Sequence, residues 1–113
     1  MKSVILIILS LFFFVGSAQS GEVVVKDYQK FKNLSRVQDY VWGAGDAFVW
    51  ANDLLNSTKQ KRLFCKPERL VLEKQNFLQI LENAIDDPEF NVKPEMPVPV
   101  VLFMGLMKTF PCK

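Results

Sequence analysis

Histidine is absent from this chain of 113 residues. Its absence removes the commonest general base, the usual partner of serine and cysteine nucleophiles, and the side chain that most readily senses pH near neutrality. The chain also lacks a glycine-rich phosphate loop, a nucleophile elbow and any metal-ligand spacing. Cysteine is scarce, with Cys65 and Cys112 alone, too few for a structural zinc centre, which takes four ligands. Neither sign of charge dominates: 14 basic residues face 12 acidic ones for a net +2. No strongly basic surface is imposed, and nucleic acid is not an expected partner. Catalysis would therefore have to rest on carboxylates. Asp39, Asp46 and Asp53 recur every seven residues, and Asp86 and Asp87 are adjacent. Two acids converging in a cleft could serve glycoside hydrolysis, yet a repeat of this kind is more often a solvated helix face. We therefore expect a binding protein rather than an enzyme, with no cofactor and no bound metal.

A hydrophobic run of membrane-spanning length is missing as well. Lys2 precedes the apolar stretch Val4 to Val15, broken only by Ser10, and the small residues Gly16, Ser17 and Ala18 follow. That is the order of a secretory signal. The stretch holds about twelve residues, whereas a transmembrane helix needs roughly twenty. Residues 1–18 are expected to be a signal peptide, with cleavage after Ser20 as a second possibility and an uncleaved anchor as the alternative. Residues 19–113 then form a single exported domain with no membrane attachment after cleavage and a net charge of +1. In an oxidising compartment its sole cysteine pair, Cys65 with Cys112, is expected to close a disulfide. Such a crosslink stabilises a small domain by about 4 kcal/mol in the chain-entropy account, comparable with the whole stability of many such domains.

Three helical stretches follow from periodicity. Leu34, Val37, Val41, Ala44, Phe48, Ala51 and Leu55 step by three and four residues, predicting an amphipathic helix from about Ser35 to Asn56. Gly43 and Gly45 inside it each cost roughly 1 kcal/mol relative to alanine, so a neighbour is expected to approach closely there. Residues 57–69 form a polar, basic connection. Leu70, Phe77, Ile80, Leu81, Ala84 and Ile85 predict a second helix, beginning near Leu70 or already at Pro67 and limited by Pro88. Prolines 88, 94, 97 and 99 predict a stiff, extended segment. The apolar run Val100 to Met107 then predicts a short buried helix. Residues 22–33 are ambiguous: Val23 to Val25 suggest a strand, while Tyr28, Phe31 and Leu34 favour a short helix from about Lys26. The fold class expected is an all-α, small bundle of about four helices with one disulfide.

Trp50 falls on the helix face away from the apolar stripe, together with Gly43 and Asp46. Two readings are open. Trp50 could fill the space beside Gly43 beneath another helix, as is common in bundles, or it could anchor contact with a second protein, where tryptophan is enriched.

The segment Tyr40-Val41-Trp42-Gly43-Ala44-Gly45-Asp46-Ala47-Phe48-Val49-Trp50-Ala51-Asn52, followed by Leu63-Phe64-Cys65-Lys66-Pro67 and a closing Phe110-Pro111-Cys112, resembles the Rap/Tai immunity proteins of bacterial type VI secretion. The likeness runs over residues 36–113. It implies a small helical periplasmic protein, commonly a homodimer, whose partner is a peptidoglycan-cleaving amidase toxin that it binds and blocks. Inhibition of that kind needs a rigid projection and a surrounding contact of roughly 800 Å² per partner. The candidates are the basic connection with Lys59, Lys61 and Arg62, and the proline-rich segment with Asp87, Phe90 and Met96. Either could instead be an ordinary exposed connection. Trp42 and Val49, one heptad apart, are candidates for a dimer face. The alternative function is a small disulfide-bonded periplasmic stress chaperone that exposes apolar surface on acidification.

Overall fold

The apolar periodicity that starts at Leu34 becomes the longest element of the molecule. In the computed structural model, which describes residues 22–113, the helices are α1 (Val25–Phe31), α2 (Ser35–Ser57), α3 (Lys74–Asp86) and α4 (Val98–Thr109). The described chain is an all-α bundle of four helices braced by the Cys65–Cys112 disulfide, whose Cα atoms lie 5.0 Å apart. The proposed signal peptide falls outside the described residues. No helix among those described is long and apolar enough to cross a membrane.

The core forms where α2, α3 and α4 meet. Val41, Phe64, Phe77, Leu81, Val98, Val101, Leu102 and Leu106 are fully enclosed, and α4 is buried along the face of Val101, Leu102, Gly105 and Leu106. Phe103 joins two neighbours at this junction, its ring 5.2 Å from that of Phe48 and 6.4 Å from that of Phe64. Tyr28 fastens α1 to α3: its buried ring ends in a hydroxyl that donates to Glu82 Oε1 at 2.9 Å. Burial first, and then the bond to the Glu82 carboxylate, push the phenol well above its ordinary range.

Four local expectations are corrected. On α2 the inward residue near the end is Asn52, 3% exposed, whereas Ala51 is open to solvent. The close approach occurs at one glycine only. A Cβ built on Gly45 would sit 2.3 Å from the Phe77 ring, while nothing lies within 4 Å of one on Gly43. Helix α3 starts at Lys74, later than either start foreseen. Leu70 belongs to a turn closed by its own N–H on Pro67 O at 3.0 Å, and the helix is capped by Asn76 Oδ1, which accepts from the Glu73 N–H at 2.8 Å. The prolines, finally, do not hold residues 88–97 extended. Asp87 nucleates a turn by accepting from Glu89 N–H at 2.9 Å, Asn91 takes a left-handed φ of 46°, and a second turn joins Met96 N–H to Lys93 O at 3.1 Å.

The ambiguous amino-terminal stretch resolves into both of its readings. Val24 forms an isolated antiparallel bridge with Pro97. Val98 N–H donates to Val23 O and Val25 N–H to Met96 O, each at 2.9 Å, and the chain then turns directly into α1.

Asn52 performs a second task. Its Nδ2 donates to Phe64 O at 2.8 Å, and its Oδ1 accepts from Leu63 N–H at 2.8 Å and Phe64 N–H at 3.3 Å. An apolar side chain here would leave both buried backbone groups of Phe64 and the partly buried Leu63 N–H without partners. Next along the chain, Cys65 N–H donates to Phe110 O at 2.7 Å, beside the disulfide.

Three substitutions test this packing, each read by urea denaturation. Gly43→Ala, in open space on a helix, should raise stability by about 0.5–1 kcal/mol. Gly45→Ala should lower it by about 1–3 kcal/mol despite the better helix propensity, because the enclosed Phe77 ring has nowhere to move. Equal effects at the two positions would contradict the packing. Asn52→Ala should cost about 3 kcal/mol through the stranded backbone groups, and a loss below about 1 kcal/mol would show that Asn52 is not the clamp.

Candidate functional site

The outer side of α2 and the chain that returns after Cys65 enclose a groove of about 300 Å³. Its α2 wall is made by Asp46, Val49, Trp50 and Asp53, which lie three to four residues apart and so share a flank. The opposite wall is the Lys66–Leu72 strip, and Phe77 closes the floor. The strip runs alongside α2 because Asn52 holds residues 63–64 and the disulfide holds residue 65. Within it, the Lys66 ammonium donates to the backbone carbonyls of Pro67 and Leu70, which folds the strip back on itself.

This surface is apolar where a monomeric protein has least reason to be. Trp50 is 67% exposed and Val71 76%, and Leu54 continues the patch one turn beyond Trp50. The packed reading of Trp50 is thereby corrected, since it does not lie beneath another helix and the space beside Gly43 is open. Both Trp50 and Val71 face the same groove. Asp46, Asp53 and Glu68 ring it, and none of the three forms an ion pair among the described residues.

The other candidate residues fall into separate neighbourhoods. Trp42 stands on the same flank of α2 as Val49, but its ring is covered by the Lys74 ammonium at 5.5 Å. Lys74 is held there by Asp39 at 2.9 Å. Lys59 and Lys61 are exposed and Arg62 is half-buried. Lys59 has a φ of 61°, the left-handed position that ends α2, with Lys59 N–H on Asn56 O at 3.2 Å and Gln60 N–H on Leu55 O at 2.8 Å. The basic connection therefore begins from a fixed direction. Phe90 and Met96 are half-buried and pack against the core.

Asp87 and Phe90 line a second, smaller cavity of about 190 Å³ against Gly105 and Lys108. The Lys108 ammonium bonds to Asp87 and to Glu89 at 3.0 Å, and lies 5.4 Å from the Phe90 ring. The bond from Lys108, helped by the Glu89 N–H, holds the Asp87 carboxyl below its ordinary range. Lys108 is pushed up in turn by Asp87 and then Glu89. No group of three or more metal-ligating side chains is placed to hold an ion among the described residues. Asp39, Asp46 and Asp53 share the exposed face of α2 as foreseen, with Asp39 engaged by Lys74.

The helix predicted from about Leu70 concealed Leu70 and Val71 as exposed residues, with Leu72 half-buried against the core beside them. The signal was present: three consecutive apolar residues suit an extended strip better than one stripe of a helix. No family model, no curated protein and no solved structure matches the chain.

The Asp87–Lys108 pair yields a pH prediction. A depressed carboxyl adds stability above its unfolded value, near 3.9, and loses it as pH falls through the folded value. The raised ammonium contributes below about 10.4 and loses its share as pH rises through its own folded value. Asp87→Asn should therefore show a constant deficit against the parent chain from about pH 5 to 10 that closes in acid. A deficit persisting unchanged at pH 2 would assign it to packing instead.

Proposed function

We propose that this chain is an exported periplasmic immunity protein that binds and blocks a peptidoglycan-cleaving amidase toxin of a type VI secretion system. The observation that carries the binding part is the Trp50–Val71 surface, large apolar side chains left open beside a groove on a braced scaffold. Patches of this sort mark interaction sites, and an aromatic residue at the centre is the usual anchor of a protein interface. The class of partner comes from the resemblance of the α2 segment and the two cysteine segments to the Rap/Tai proteins. The disulfide favours an oxidising compartment, in keeping with the signal-like residues 1–18. Blocking an enzyme in this way requires no chemistry from the inhibitor, only a surface that excludes substrate. The flank at Trp42, which lies outside the groove, is the proposed contact between two copies, and Val49 belongs to the groove instead.

Co-export with the adjacent gene's product tests the proposal. Cells that send that product to the periplasm should lyse, and the full-length chain should prevent lysis. A chain lacking residues 1–18 should give no protection. Absence of rescue, together with absence of a complex between the purified proteins, would sink the proposal for that neighbour. If the purified chain instead exposed new apolar surface on acidification and held unfolded clients soluble, the chaperone alternative would take its place.

A further inference from the structure

We propose that the groove between α2 and residues 66–72 receives a basic segment of the polypeptide partner, an aliphatic side chain entering over Val49 and Phe77 while a neighbouring lysine or arginine covers Trp50. The inference deepens the binding-protein reading and rests on it, adding the site and the chemistry of the occupant. Charge decides the occupant. Although the chain as a whole is net positive, this groove carries Asp46, Asp53 and Glu68 without ion-pair partners among the described residues. Its one ammonium, Lys66, is turned onto the carbonyls of Pro67 and Leu70. A carboxylate, phosphate or anionic lipid headgroup would meet repulsion here, whereas a cation is favoured by these three acids and by the indole face.

Spacing on α2 sharpens the match. Asp46 lies four residues before Trp50 and Asp53 three after it, so the two carboxylates flank the ring along one face of the helix. A guanidinium or ammonium over the ring would lie between the two along the helix axis. The groove has room for one or two side chains, which suits an anchor from an extended segment. The protein's own basic connection has the right composition, Lys59, Lys61 and Arg62 beside the exposed Leu63. However, Leu63 N–H is held by Asn52 and Phe64 is locked in the core, so that connection is a loop tethered at its end rather than a free extended segment of the kind the groove suits. A foreign segment is therefore the occupant.

The test uses the oxidised chain labelled with nitrogen-15 and the capped peptide Gly-Lys-Leu-Arg-Leu-Lys-Gly. Control peptides carry glutamate in place of the basic residues or serine in place of the leucines. We expect the Trp50 indole signal and the amides of residues 46–53 and 66–72 to shift saturably with the basic apolar peptide alone. Binding should weaken at least about tenfold in an Asp46→Asn/Asp53→Asn chain and as salt rises from about 0.05 to 0.5 M. Equal response to the acidic peptide, no response, or a self-associated chain that those substitutions dissociate would each overturn the proposal, the last in favour of a second copy. The same double variant and Trp50→Ala, confirmed as folded by circular dichroism, are then placed in the co-export assay. Loss of protection joins the groove to the toxin. Full protection by both folded variants overturns the groove as the toxin site and leaves the immunity reading standing. If the parent chain binds the peptide yet gives no protection, the immunity reading falls and the groove remains.

Discussion

The structure depends on the amide of Asn52. Among the described residues it is the one buried side chain of a polar or charged type, and it satisfies both the donor and the acceptor of the Phe64 backbone while also holding Leu63. With those groups paired, the chain leaving α2 can turn inward and place Phe64 against Phe103. Cys65 is then delivered to Phe110, where a backbone bond and the disulfide to Cys112 fasten it to the end of α4. The residues after Cys65 have little freedom left, and they run back beside α2 to form the second wall of the groove. A buried amide and a covalent crosslink thus perform in sequence what a large core would do in a bigger domain.

Helix packing supplies the complementary constraint. Two glycines let helices meet at backbone distance. Gly45 admits the Phe77 ring from α3, and Gly105 admits Ile80, whose Cγ2 would lie 2.9 Å from an added Cβ. Both contacts draw on α3, so that helix is the wedge between α2 and α4, and Leu81 and Ala84 fill what remains. The outer face of α2 stays uncovered as a consequence, because three helices in contact enclose only the inward side of each.

How much of this was legible in the sequence depends on residue type. Val41, Phe77, Leu81 and Leu102 were recoverable because apolar side chains report their own direction through periodicity. Asn52 was not, since it does not score as apolar, and of the two glycines expected to meet a close neighbour only Gly45 does. Counting about 100° per residue from Val41, Asn52 falls only about 20° away after three turns, while Ala51 lies about 80° off. A stripe traced through apolar residues alone therefore drifts from the true buried arc, and the error grows toward the end of the helix. The α3 start was obscured by Leu70 to Leu72, whose hydrophobicity belongs to the groove wall. The prolines misled for a related reason: each fixes its own φ, but Asp87 and Asn91 between and before them decide that the segment turns. The disulfide was legible because only one pairing exists. The groove was half legible, with Trp50 and the acidic repeat visible and their opposing wall hidden in a stretch assigned to a helix.

Leaving Trp50 in water has an energetic meaning. An enclosed tryptophan buries about 200 Å², so two thirds of that surface left open corresponds to about 3 kcal/mol of apolar burial not realised within the chain. Folding does not require it, since the core closes without it. The same contribution becomes available to whatever covers the ring, reduced by the cost of ordering the parts that meet. That cost is about 0.5–1.5 kcal/mol for each side chain that must be immobilised. On a mobile loop much of the gain would be lost. Here the ring stands on a long helix, and the facing strip is held by Asn52 and the disulfide at its start and by the Lys66 ammonium within it. Rigidity gained for folding is therefore rigidity on offer to any partner that would cover the ring, because the bonds that brace this small domain are the same ones that fix its exposed surface.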